Sequence, residues 1–74
     1  MATNIYIQFG EKLKEERLKQ GLSQERLAVS AGYHRTWVGM IERGERTVTL
    51  VHLEKIARAL RIEIEILFRG LLTD

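Results

Sequence analysis

Seventy-four residues amount to one small domain, and 45% hydrophobic against 30% charged residues is too apolar a mixture for a disordered segment. The absence of cysteine excludes disulfide scaffolds, thiolate zinc sites and thiol catalysis, while the absence of proline and only 7% aromatics favour helices over strands and turns. A formal net charge of +2 permits a nucleic-acid partner without demanding one, so the placement of the charges has to decide.

A chain this short buries about 60% of the surface its unfolded form exposes, so a monomer is marginal and oligomerisation is the natural supplement. Without cysteines, a reducing cytoplasm is the expected compartment. The first nine residues have no basic leader and run into Glu11, Lys12, Lys14, Glu15 and Glu16, unlike a signal peptide. No uninterrupted apolar stretch approaches the roughly 20 residues of a membrane span. The expectation is a single all-α domain over residues 1–74, without linkers or repeats.

In chain order, Ile5, Phe9, Leu13 and Leu18 give a first helix that Gly21 ends in a left-handed turn. Ser23 caps a second helix, with Leu27 and Ala31 as its buried stripe, and Gly32 ends it. A third short helix spans residues 34–43, with Val38 and Ile41 facing inward and Gly44 closing it. Residues 45–49 form a loop. Thr49 then caps a fourth helix whose apolar face is Leu50, Leu53, Ile56, Ala57 and Leu60. Residues 61–66 alternate with the period of a strand, but a lone strand has no partner in a helical chain. Ile62 and Leu67 stand five apart, as a hydrophobic staple requires, so the reading is a fifth short helix ending near Arg69.

Two short helices joined by a glycine-containing turn are the distinctive feature. A helix-turn-helix crosses its helices at about 90–120°. Ala28 is small enough for that close approach, and Gly32 accepts positive φ without steric cost. The outward face at the start of the third helix carries His34, Arg35, Thr36 and Trp37, where a surface helix would ordinarily carry acids. A recognition helix enters the major groove N-terminus first, which puts these side chains near base edges and phosphates.

The segment GLSQERLAVSAGYHRTWVGMIERGERTVTLVHLEKIARAL resembles the Cro and phage-repressor type of helix-turn-helix domain, over roughly residues 9–68. Within that family, Arg35-Thr36-Trp37 followed by Ile41-Glu42-Arg43-Gly44 and Arg46 is most similar to the controller proteins of restriction–modification systems. The resemblance implies a compact five-helix, lambda-repressor-like fold. It implies that Arg35 reads a base, and a guanidinium can pair bidentately with guanine N7 and O6. Thr36 offers a methyl to thymine or a hydroxyl to phosphate. Trp37, where tyrosine is usual, offers an indole N–H or serves as a core aromatic. His34 is a cap or a phosphate neighbour. Arg46 reaches DNA from the loop. Gln24 contacts phosphate at the start of the second helix, and Arg43, Thr47 and Thr49 add backbone contacts that set register. Arg17 and Glu42 match a structural ion pair between the first helix and the recognition helix. Two departures are Arg61, where relatives carry glycine, and Glu63, where they carry a capping serine.

At the C-terminus, Ile62, Leu67 and Phe68 suffice to close the core. Ile64, Ile66, Leu71 and Leu72 are then left for a homodimer interface, or for a loosely packed tail. A two-fold dimer presents its recognition helices about 34 Å apart and reads a pseudo-palindromic double-stranded operator. The resemblance further implies two dimers on tandem sites, activation at low and repression at high occupancy, and an RNA polymerase contact for which Glu25 is the candidate. A phage- or plasmid-type repressor is the alternative, and an antitoxin-like interaction module would need a toxin-binding segment. An enzyme is not expected: Asp74 is the only aspartate, the histidines (His34, His52) lie on separate helices, and there is no phosphate-cradling loop, cofactor motif or metal-ligand spacing.

Overall fold

The computed structural model describes residues 4–71, among which the chain forms four α-helices and a closing 3-10 segment. The helices are α1 (Ile5–Lys19), α2 (Gln24–Ala31), α3 (Arg35–Glu42) and α4 (Leu50–Leu60). The all-α helix-turn-helix class is as expected, but the fifth element is a 3-10 stretch, Ile64–Phe68, and not an α-helix. Glu63 supplies no side-chain cap there, and the backbone is extended again at Arg69. Five residues held between those ends are too few to sustain an i→i+4 ladder.

Helix starts are set by short polar side chains that accept otherwise unpaired amides. Asn4 Oδ1 accepts from the Tyr6 N–H at 2.7 Å, and Ser23 Oγ from the Arg26 N–H at 3.0 Å. Thr49 Oγ1 accepts from the His52 N–H at 3.2 Å while His52 Nδ1 accepts from the Thr49 N–H at 3.0 Å, a reciprocal capping box. Gly32 ends α2 at φ +82°, and the Tyr33 N–H turns back to the Ala28 carbonyl at 2.8 Å. That left-handed residue is what folds α3 sharply against α2.

The core gathers Leu13, Leu27, Val38, Ile41, Ile56 and Leu60, and Leu67 plugs it from the C-terminal segment. Four apolar residues placed on the buried faces by pattern lie outside, the first being Ile5, 41% exposed in the opening turn of α1. Leu18 is exposed because it stands nine residues from Phe9, about half a turn out of phase with the Phe9–Leu13 face. Leu50 is exposed because it opens α4, and its side chain leans past the end of the core. Phe68 does not close the core either: Leu67 does, while Phe68 faces outward and Leu71 packs against the core cluster.

The contact between α1 and α3 depends on Gly10, a residue that carried no weight in the sequence pattern. A Cβ at Gly10 would collide with the carbonyl oxygens of Ile41 and Glu42, so the two backbones meet there. Beyond α4, Arg61 takes the left-handed conformation (φ 56°, ψ 43°), at the position where the family resemblance implied glycine. The helix still terminates regularly, with the Ile62 N–H bonded to the Ala57 carbonyl at 3.1 Å.

Candidate nucleic-acid interface

The start of α3 is the centre of the site. His34 caps it, with Nδ1 accepting from the Thr36 N–H at 3.0 Å. Arg35 and Thr36, in its first turn, are exposed. The Arg35 side chain is 67% exposed and its guanidinium donates from Nη1 to Glu25 Oε2 of α2 at 3.1 Å. This pairing joins residues ten apart in sequence, and no local pattern announced it.

Trp37 is half-buried and does not stand free on the outward face. Its ring stacks on Tyr33 at 4.1 Å and meets His52 edge-on at 4.9 Å, so α3 is wedged against the start of α4. Lys55 Nζ lies 5.4 Å from the centre of the Tyr33 ring on the same cluster. His52 therefore serves twice, in the α4 cap and as an aromatic wall. A threonine followed three positions later by histidine was the available signal, but histidine is not the usual partner in a capping box.

Behind the recognition helix lies a buried polar network. Arg17 donates from Nε to Glu42 Oε2 at 2.6 Å and from Nη2 to Oε1 at 3.0 Å, and its Nη1 reaches the Leu22 carbonyl at 2.7 Å. Gln24, half-buried, donates from Nε2 to Glu42 Oε1 at 2.9 Å. One carboxylate on α3 thus fastens α1 and α2, and among the described residues no buried side-chain polar atom lacks a partner.

Beyond α3, Arg43 forms a bidentate pair with Glu45, at 2.9 and 3.1 Å. Hydrogen bonds from Arg43 hold the Glu45 carboxyl below its ordinary pKa. Arg46 and Thr47 are exposed on the loop, and among the described residues Arg46 makes no ion pair. Thr49 is exposed, with its hydroxyl accepting in the cap. His34, Arg35, Thr36, Arg43, Arg46, Thr47 and Thr49 are thus all exposed, whereas Gln24 and Trp37 sit half-inside with their polar and aromatic faces engaged.

Of the residues assigned to a dimer interface, Ile64 is exposed, Ile66 half-buried and Leu71 half-buried on the core; Leu72 lies outside the described residues. Phe68, not assigned there, is the larger exposed apolar side chain at 45%. It lines an apolar groove with Ile5, Tyr6, Phe9, Val48, Leu53 and Leu71. Among the described residues no acidic, histidine or cysteine cluster could hold a metal ion, and no helix is long and apolar enough to cross a membrane.

The helix-turn-helix family pattern matches residues 13–67. The control protein C.BamHI of Bacillus amyloliquefaciens is 45% identical over 64 residues, covering 85% of this chain and 79% of that protein. The crystal structure of the restriction-modification controller protein C.AhdI from Aeromonas hydrophila superposes with a TM-score of 0.83 at 49% identity, over 85% of this chain and 96% of that one. The controller C.Esp1396I, solved as a tetramer in complex with its natural 35-base-pair operator, superposes with a TM-score of 0.82 at 30% identity, over 89% and 87%. The chain belongs to the helix-turn-helix family, among the restriction–modification control proteins. It is a DNA-binding transcription regulator and not an enzyme.

Proposed function

We propose that this protein is a cytoplasmic controller. As a homodimer it reads a pseudo-palindromic operator upstream of its own gene and of a restriction endonuclease gene, activating at low occupancy and repressing at high occupancy. The observation that carries the reading is the exposed Arg35–Thr36 pair on the first turn of α3, set rigidly by the Trp37 wedge and the Arg17–Glu42 anchor. Arg35 pairs with guanine and Thr36 meets a thymine methyl or a phosphate.

The remaining contacts position the duplex. Arg46 brings its unpaired charge to the backbone or a base edge, while Arg43 and Thr47 add to the phosphate face. His34, with Nδ1 occupied in its cap, has Nε2–H left to donate to phosphate; Thr49 has its hydroxyl hydrogen and Gln24 a second amide hydrogen. Trp37 offers only its indole N–H.

Dimerisation uses the exposed apolar C-terminal face of Ile64 and Phe68 with Ile66 beside them, and the groove that Phe68 shares with Ile5 and Leu71. C.Esp1396I was solved as a tetramer in complex with its natural 35-base-pair operator, and for this chain two dimers on tandem sites are proposed. RNA polymerase is met by the exposed face of α2 around Glu25.

Selection of binding sites from random duplex DNA at two salt concentrations tests the reading. Recovery of a pseudo-palindrome with half-sites one helical turn apart is the expected result. Weak, strongly salt-dependent binding with no recovered motif would reduce the basic face to a general electrostatic surface and overturn it.

A further inference from the structure

The Arg35–Glu25 pair lies at the mouth of a shallow recess between α2 and α3, floored by Ala28, Val29 and Tyr33. Both partners are largely open to solvent, at 67% and 65%, so the pair contributes little to holding the fold. Its effect falls on the guanidinium. Glu25 engages a single nitrogen, Nη1, and among the described residues the edge formed by Nε and Nη2 has no protein partner. Two parallel donors on one edge are what bidentate pairing with guanine requires. A carboxylate at the tip of the same arginine also cancels part of the charge that would draw it to phosphates, the sequence-independent component of binding.

We propose that Glu25 is a positioning residue for Arg35. It holds the guanidinium by one nitrogen, presents the opposite edge to the base, and suppresses the arginine's capture by the phosphate backbone. The inference rests on the base-reading role of Arg35. It accounts for an acid placed beside the residue that should be most attractive to DNA, and it leaves general phosphate attraction to Arg46, which makes no ion pair among the described residues. The role is exerted within the protein–DNA complex and is independent of polymerase.

The experiment measures binding without polymerase for the wild-type protein, Glu25→Gln, Arg35→Ala and the double variant. The probes are the duplex recovered by wild-type selection, its single-base-pair variants, and an unrelated duplex of equal length, each at two salt concentrations. Glu25→Gln is expected to melt at the wild-type temperature and to bind the unrelated duplex about two- to five-fold more tightly, the range an exposed ion pair supports. It should also lose preference by a similar factor at the base pair that Arg35→Ala identifies, and change no preference once Arg35 is absent. Wild-type preference in Glu25→Gln at that base pair, or an equal loss in the Arg35→Ala background, would overturn the proposal while leaving Arg35 as a base reader. If Arg35→Ala itself alters no preference, the base-reading role fails and the proposal falls with it.

Discussion

Arg61 ends α4 in a conformation that costs a residue with a Cβ about 1–2 kcal/mol, because the Cβ crowds the following carbonyl. Glycine removes that strain but loses more backbone entropy on folding, which offsets part of the gain. Arg61→Gly should therefore stabilise the domain by about 0.5–1 kcal/mol and raise its melting temperature by about 2–8 °C. A lower melting temperature would mean that the arginine makes contacts outweighing its strain. At the recognition helix the decisive residue is Arg35. Arg35→Ala should cost about 1–3 kcal/mol on the selected site and relax preference at one base pair. Equal weakening on every duplex would assign the side chain to phosphate.

Between elements, the buried Arg17–Glu42 pair has the largest consequence. Their side chains are 8% and 3% exposed, and Gln24 shares the same carboxylate. Glu42→Gln keeps the shape of the side chain but leaves a buried guanidinium without its counter-charge, a loss of about 3–5 kcal/mol. For a domain of this size, whose whole stability is on the order of 4–11 kcal/mol, that is a large fraction. Circular dichroism melting should show the transition falling by well over 10 °C, at about 4–8 °C per kcal/mol. The double replacement Arg17→Met with Glu42→Leu should cost less than Glu42→Gln alone, because no charge is then stranded. A melting temperature unchanged in Glu42→Gln would mean that the pair is worth no more than an exposed one. The same network explains why α3 is held at a fixed angle to α1, with the backbones touching at Gly10.

For the whole molecule, the small core makes association the natural source of further stability. The exposed side chains that test it are Ile64 and Phe68. Leu71 is the wrong place for a charge, because it packs on the core and its replacement would disturb folding directly. Ile64→Asp and Phe68→Asp should keep the helical fold, shift sedimentation towards the monomer and weaken operator binding together. Dimeric sedimentation retained in both variants would move the interface elsewhere.

The sequence by itself determined the starts of α2 and α4, the glycine turns that close α1, α2 and α3, and which short pair forms the helix-turn-helix. Those signals are local: Ser23 and Thr49 accept amides within their own first turns, Gly32 supplies a left-handed residue, and Val38 with Ile41 repeat on one face of one helix. The residues at the front of the recognition helix were legible for the same reason, since facing outward is a property of helical phase. Tertiary structure alone decided that Leu50 and Phe68 stay outside, that Gly10 permits α1 to touch α3, that Trp37 leans on Tyr33 and His52, and that Glu25 reaches Arg35. Each of these depends on where a second element lies, and helical periodicity fixes the face of one helix but not the neighbour that the crossing angle and a tight turn bring against it.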